Sequence, residues 1–335
     1  MPGATGLVRR AAAAGAAAAA SASQRGARGL ASAAQHPSAR VAVGDASFDA
    51  AMDLNVGNDE VRATLNTGGF QFGSSPLLRE WIDGSARLGH RRPMLDVGCA
   101  FGANVLLAAR ALRGTSAHVV ALDCDTRHLD EVMAGAAEAE LTDVVSTAFG
   151  RLPDNLAEAD LVAKHGTFSS ILVSEVFHFL SGVQIEASCH ALASLLAPGG
   201  ALVVTAAAPS IYFADSRTRP GAAFRRTYDA NVKAGARWPG ECEIHGGIFN
   251  VRELVFDWQI SLGMVEGIAR AASLRQPTGF HLIAPELLAA AVEAVPGMRV
   301  VRAGTGKHHR YPVIGTPTEE ERQKECTQLV ATKDA

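Results

Sequence analysis

From Pro93 onward the chain alternates short apolar runs with longer amphipathic ones. "PMLDVGC", "AHVVALD", "VVSTAF", "FSSILVSE" and "ALVVTAAA" are uninterrupted apolar segments of strand length, the pattern of strands buried on both faces. Between them lie helical patterns. "GANVLLAARALRG" opens at Gly102 and closes at Gly114. "TRHLDEVMAGAAEAE" begins at a Thr cap. "QIEASCHALASLLAPGG" is stopped by Pro198 and two glycines. Strands alternating with helices predict an α/β fold around a parallel sheet with helices on both faces. Before this unit, "SSPLLREWIDGSARLG" has apolar residues at Leu77, Leu78, Trp81, Ile82 and Leu88, a helix with a Ser-Pro entry. After it the alternation breaks. Residues 209–279 mix Pro, Gly, Arg and aromatic residues around pieces such as "NVRELVFDWQISLG", and read as a cap inserted after the fifth strand. "APELLAAAVEAV", "MRVVRAG" and "ECTQLVATK" then predict a helix and two closing strands.

The first 44 residues form a separate object. They hold Arg9, Arg10, Arg25, Arg28 and Arg40, no acid before Asp45, and otherwise mostly Ala, Ser and Gly. Arg-rich, Ser-containing and acid-free composition points to an organellar transit peptide. The arginines just before small residues in "RGARGLASA" suit a mitochondrion, with a plastid as the alternative. The whole chain has a net charge of −3. Without those five arginines, 26 basic residues face 34 acids, so no electrostatic footprint for nucleic acid exists. Cys99, Cys124, Cys189, Cys242 and Cys326 are widely spaced, which reads as free thiols and not as a zinc or redox motif. No membrane span and no metal site are expected.

The chemistry concentrates where the first strand of the sheet turns into a helix, at "PMLDVGCAFGANVLL". Ligands of open α/β sheets bind at the carboxyl ends of strands. Glycines there let the backbone approach a ligand closely. A dinucleotide loop needs G-x-G-x-x-G, and the matching positions are Gly98, Ala100 and Ala103, so two of three glycines fail. A phosphate-binding P-loop needs Gly-Lys-Ser/Thr, and no lysine is present. Asp96, two residues before Gly98, instead suits a cationic amino group. Asp123 closes the second strand, where a carboxylate can accept from ribose hydroxyls. An amino acid and a ribose without pyrophosphate describe S-adenosylmethionine.

With these residues in view, "LDVGCAFGANVLLAA" resembles the first motif of the class I S-adenosylmethionine-dependent methyltransferases. "VVALDCD", "GRLP", "ILVSEVFHFLSG" and "LLAPGGALVVT" are similar to later segments of that family, in the family's order. The resemblance implies a Rossmann-like seven-stranded sheet, parallel except for a reversed last strand. It implies that Asp96, Gly98, Ala100 and Gly102 line the methionine end of the cofactor. Asp123 would bind the ribose, Cys124 would lie beside the adenine, and Arg151 and Leu152 would flank it. Ser174 and Glu175 would stand between cofactor and acceptor. Two positions depart from the family: Ala100 and Gly150 stand where it often has a glycine and an acid.

In-line methyl transfer needs alignment above all, and a base only when the acceptor must lose a proton. His178, after the fourth strand, and His245, in the cap, are the candidate bases. Tyr228 and Trp238 are read as acceptor-pocket or cap-core residues, His281 as a turn residue, and "GKHHRYP" as solvated surface. The expected activity is methyl transfer to a small-molecule acceptor. The alternatives are a methyltransferase-like assembly or binding factor in an organelle and, disfavoured by the glycine count, a nicotinamide-dependent oxidoreductase.

Overall fold

A computed structural model describes residues 62–64, 70–71, 73–209, 219–243, 279–307, 324 and 326–335. All lie in the unit spanning 46–335; the other unit, 1–45, is outside the described residues. Outside them too are His245, "NVRELVFDWQISLG" and most of "GKHHRYP".

The elements run β1 (Arg62–Ala63), β2 (Phe70–Gln71), α1 (Leu78–Ala86), β3 (Met94–Val97), α2 (Ala103–Ala111), β4 (Val119–Asp123), α3 (Thr126–Glu138), β5 (Val145–Phe149), α4 (Glu158–His165) and β6 (Phe168–Ser174). A 3-10 turn (Phe177–Phe179) follows, then α5 (Gly182–Leu195), β7 (Leu196–Ala207), α6 (Arg219–Lys233), β8 (Glu241–Glu243), β9 (Gly279–His281), α7 (Pro285–Glu293), β10 (Met298–Gly306) and β11 (Cys326–Lys333). Seven strands make one sheet in the order β10-β11-β7-β6-β3-β4-β5. β7, β6, β3, β4 and β5 pair in parallel, and β11 runs antiparallel to both neighbours. The expected α/β class and reversed last strand are both present.

Strand periodicity divides the core between the two faces of the sheet. Leu95, Val97, Leu122, Ile171, Val173, Leu202 and Val204 meet Ile185 and Cys189 of α5 and Leu288 and Val292 of α7. Met94, Val119, Ala121, Leu172 and Val203 face the other way, onto Trp81 of α1, Val105 and Ala108 of α2, and Val132 and Ala136 of α3. Burying each such aliphatic side chain stabilises the fold by roughly 1.5–3 kcal/mol. Trp81, fully buried, donates its indole N–H to the Ser170 carbonyl oxygen at 3.2 Å, which anchors α1 on β6.

Several expected boundaries move, for identifiable reasons. The α3 cap is Asp125 and not Thr126, because the Asp125 carboxylate accepts the Arg127 N–H. Pro198–Gly200 does not separate a helix from a strand: α5 ends at Leu195 and β7 begins at Leu196. Residues 197–200 form an irregularity inside β7, since Phe168 pairs with Leu196 while Ser170 pairs with Ala201. α4, the 15-residue α6 and the β8–β9 pair are additions to the sequence reading. His281 lies within β9, paired with Glu241, and is not a turn residue.

Candidate active site

The β3–α2 connection is built backwards over the sheet. Gly98 N–H and Cys99 N–H both donate to the Leu122 carbonyl oxygen, at 2.8 and 3.0 Å, tying the turn to the end of β4. Gly98 (φ 73°), Ala100 (φ 45°) and Gly102 (φ 79°) all take left-handed backbone. At two of them glycine is required by the protein itself. A Cβ on Gly98 would fall 2.4 Å from Cγ2 of Val176, and one on Gly102 2.7 Å from Cγ2 of Val132. Ala100 tolerates its conformation at a cost of about 1–2 kcal/mol. Its N–H is fixed by Asp123 Oδ2 at 2.9 Å.

Asp96 lies under this turn and is 1% exposed. The Asn104 amide donates to it, and Asn104 is itself oriented by the Ser75 N–H, which donates to Asn104 Oδ1 at 2.7 Å. Asp96 Oδ2 is buried without a hydrogen-bond partner. Burial pushes the Asp96 pKa up to about 7; the Asn104 bond opposes this and the charge of Asp123 adds to it. Asn104 and Ser75 belong to the site but carried no sequence signal beyond their nearness to the glycine turn and to α1.

Asp123, at the end of β4, is a hub. Oδ2 accepts from Ala100 N–H; Oδ1 accepts from Asp125 N–H at 2.9 Å and from His128 Nδ1 at 3.1 Å. His128, 1% exposed, packs edge-on against Phe101 with ring centroids 4.8 Å apart. Asp125 is engaged at the α3 cap and with Arg127, so it is not the carboxylate that faces the turn. Cys124 is half-buried, and burial raises its thiol pKa, with Asp123 adding and Arg151 opposing. Gly150 N–H bonds to the Asp123 carbonyl oxygen at 3.1 Å. Arg151 and Asn155 exchange backbone bonds at 2.9 Å that fold the next residues into a tight loop, and Leu152 is buried at its base.

On the other side of β3, the Ser174 hydroxyl meets the Thr205 hydroxyl at 3.0 Å, joining the ends of β6 and β7. Glu175 follows with left-handed backbone (φ 58°), its N–H donating to the Thr205 carbonyl oxygen. His178, 5% exposed, lies 3.5 Å from Glu175 Oε2 through Nδ1 and packs on Phe179. The register therefore brings Asp96, Gly98, Ala100, Gly102, Asp123, Cys124, Arg151, Leu152, Ser174, Glu175 and His178 to one edge of the sheet, the carboxyl ends of the four adjacent parallel strands β6, β3, β4 and β5.

The described residues between β7 and β9 pack against the start of α5. Trp238 is buried, its Nε1–H donating to Glu186 Oε1 at 2.8 Å, and Arg237 pairs with the same oxygen at 2.9 Å. Glu241 Oε2 accepts the Gly182 N–H at 2.9 Å at the start of α5. Trp238 is thus core that joins cap to α5, while Tyr228 on α6 is half-buried under Arg225. Among the described residues, no group of three or more His, Cys, Asp or Glu is placed to hold a metal ion, and no helix is long and apolar enough to cross a membrane.

Residues 94–200, which span the glycine turn, both carboxylates and the end of β6, match the family model described as "Methyltransferase domain". Over that stretch the chain is similar to a methyltransferase domain. The strand order with its reversed β11 is that of a Rossmann-like sheet. Outside the domain match, solved structures resemble the chain distantly. An S-adenosylmethionine-dependent methyltransferase from Methanosarcina mazei is 10% identical, covers 78% of this chain and 99% of its own, and has a TM-score of 0.47. The magnesium protoporphyrin IX methyltransferase of Synechocystis PCC 6803, solved with bound SAH, is 12% identical over 77% of this chain and 82% of its own, with a TM-score of 0.42. No curated protein matches the chain.

Proposed function

We propose that this methyltransferase domain transfers a methyl group from S-adenosylmethionine to a small-molecule acceptor. The observation that carries the reading is Asp96 Oδ2, a buried carboxylate oxygen with no partner beside a left-handed glycine turn. A buried carboxylate in that state fits a cation, and the amino group of S-adenosylmethionine is one. When bound, this cofactor supplies an electrophilic methyl on a sulfonium with a neutral leaving group. Asp96, set by Asn104, would hold the amino acid end. Asp123 would take the ribose, and Cys124, Arg151 and Leu152 would border the base. Ser174, Glu175 and His178 would face the acceptor, and the cap would exclude water from it. Alignment is then the main contribution of the protein.

The acidic balance of the chain beyond its first 44 residues favours a small molecule over nucleic acid. The acid-free, Arg-bearing composition of residues 1–44 supports delivery to the mitochondrion, with a plastid as the second address. Calorimetry on the full chain tests the cofactor: S-adenosylmethionine and its demethylated product should both bind. Absence of heat and of any thermal shift with either refutes the reading. A fluorescent reporter fused behind residues 1–44 should enter mitochondria, and a purely cytosolic signal refutes that address.

One observation favours a second reading, a catalytically weak assembly or binding factor. Both oxygens of Asp123 already accept bonds from protein groups. Turnover of labelled methyl groups into metabolites of a cell extract rejects it.

A further inference from the structure

β9 carries a buried histidine beside the 3-10 turn that follows β6. Ile283 N–H donates to the carbonyl oxygen of Ala207, the last residue of β7, at 2.8 Å, and β9 packs on the 3-10 turn that follows β6. His281 therefore lies near the carboxyl ends of β6 and β7, against Leu180. It is 1% exposed. Its Nδ1 lies 3.2 Å from the Leu180 carbonyl oxygen. A carbonyl only accepts, so the ring proton resides on Nδ1 and Nε2 holds a lone pair. Trp238 fixes the ring from the side, edge-on at 5.2 Å between centroids. Nε2 is buried and has no hydrogen-bond partner. A buried acceptor without a donor is unfavourable on its own account, and a ligand hydroxyl would relieve it.

We infer that His281 Nε2 is the base that takes the proton from a hydroxyl-bearing acceptor. The inference rests on the methyl-transfer reading and narrows its substrate to an oxygen acceptor. The proton passes from the acceptor oxygen to the Nε2 lone pair, giving an imidazolium. The freed oxygen electron pair forms the new bond to the methyl carbon, whose bond to sulfur breaks with its electrons remaining on sulfur. The imidazolium afterwards releases its proton to water. Burial holds the His281 pKa below its usual value, against the opposing effects of the Leu180 bond and Glu241, so the ring is neutral and able to accept near pH 7. The other titratable or charged groups on the elements around it are His178 and Glu175 on the β6 side, Glu241 on β8, and the Arg237–Glu186 pair beside Trp238. His178 has Glu175 Oε2 3.5 Å from its Nδ1.

The test uses the full chain with ¹⁵N-labelled histidine and the variant His281→Asn, whose amide N–H replaces the Nδ1 donor to Leu180 but leaves nothing at Nε2. In the wild type, the His281 ring should be the neutral Nδ1–H tautomer at pH 7. His281→Asn should bind S-adenosylmethionine within about twofold of wild type. It should transfer labelled methyl groups to hydroxyl compounds in the small-molecule fraction of a cell extract at least about 100-fold more slowly, without the acid limb of the wild-type pH profile. A ring protonated on Nε2, turnover within threefold of wild type, or label placed only on nitrogen or sulfur overturns the inference. Failure of the wild type to bind the cofactor overturns the methyl-transfer reading and this inference with it, and is told apart by the calorimetry alone. If His281→Asn does not fold, His281→Gln takes its place with the same expected losses.

Discussion

A carboxyl group that is buried with one oxygen unpartnered titrates against the rest of the molecule. The Asp96 pKa is raised in the folded state, to about 7, above the ordinary value of 3.8 that the unfolded chain has. The folded state then holds the proton more tightly than the unfolded state. Its contribution to stability is fully present below about pH 4 and is lost as pH rises to about 7. A cationic ligand beside Oδ2 reverses the balance by favouring the carboxylate. Affinity for S-adenosylmethionine should therefore rise between pH 5 and 7 and level off above, with proton release visible as a buffer-dependent heat in calorimetry. Asp96→Asn should flatten that pH dependence and weaken binding by about 1.5–3 kcal/mol, the worth of a hydrogen bond to a charged group. Asp123 and Asp125 stand two positions apart and should separate cleanly. Asp125→Ala removes a helix cap, costs about 1 kcal/mol in denaturant unfolding, and leaves cofactor binding intact. Asp123→Ala removes the acceptor for Ala100, Asp125 and His128 at once and should abolish binding.

Turns and helix starts carry the next set of constraints. Gly98→Ala places a methyl against Val176 in a left-handed backbone and should cost about 2–4 kcal/mol, from strain and overpacking together. Val176→Ala in the same chain should recover part of that loss, because it empties the space the new methyl needs. A double-mutant cycle by thermal or chemical unfolding measures this coupling, and strict additivity would contradict it. At the first helical position of α5, Gly182→Ala ought to help by helix propensity. Here its Cβ would fall 2.0 Å from Cδ1 of Trp238. The expected result is the opposite: a loss of about 1–3 kcal/mol and a red-shifted tryptophan emission as Trp238 leaves its buried seat.

Over the molecule, one sheet edge gathers groups as far apart in the chain as Asp96 and Thr205, 109 positions. Two loops with left-handed residues, at Ala100 and Glu175, flank the end of β3, and both are held by bonds to the neighbouring strand end. Such backbone persists only where surrounding structure determines it, and here it coincides with the site. The cap is fastened to the same edge by Glu241 on Gly182 and Trp238 on Glu186. Glu186→Ala removes the carboxylate shared by the Trp238 indole and Arg237, so acceptor turnover should fall while cofactor affinity stays within about twofold. A parallel loss of both in calorimetry and methyl-transfer assays would show that the cap also supports the cofactor side.

The linear pattern by itself determined the alternation of buried strands and helices, the glycine turn after β3 and the carboxylates at the ends of β3 and β4. These are local properties: apolar run length, capping chemistry and backbone freedom are written within a few residues of where they act. The same locality explains the misses. Thr126 and Asp125 are adjacent possible caps, and only the direction of the Arg127 N–H chooses between them. Pro198–Gly200 reads as a break in any sequence, yet pairing with β6 on both sides keeps it within a strand. That Gly98 answers to Val176, that Asn104 and Ser75 set Asp96, and that His281 is buried with Nε2 free are facts of contact between distant segments. Only the folded sheet decided them, because burial and hydrogen-bond partnership depend on which strand ends the register brings together.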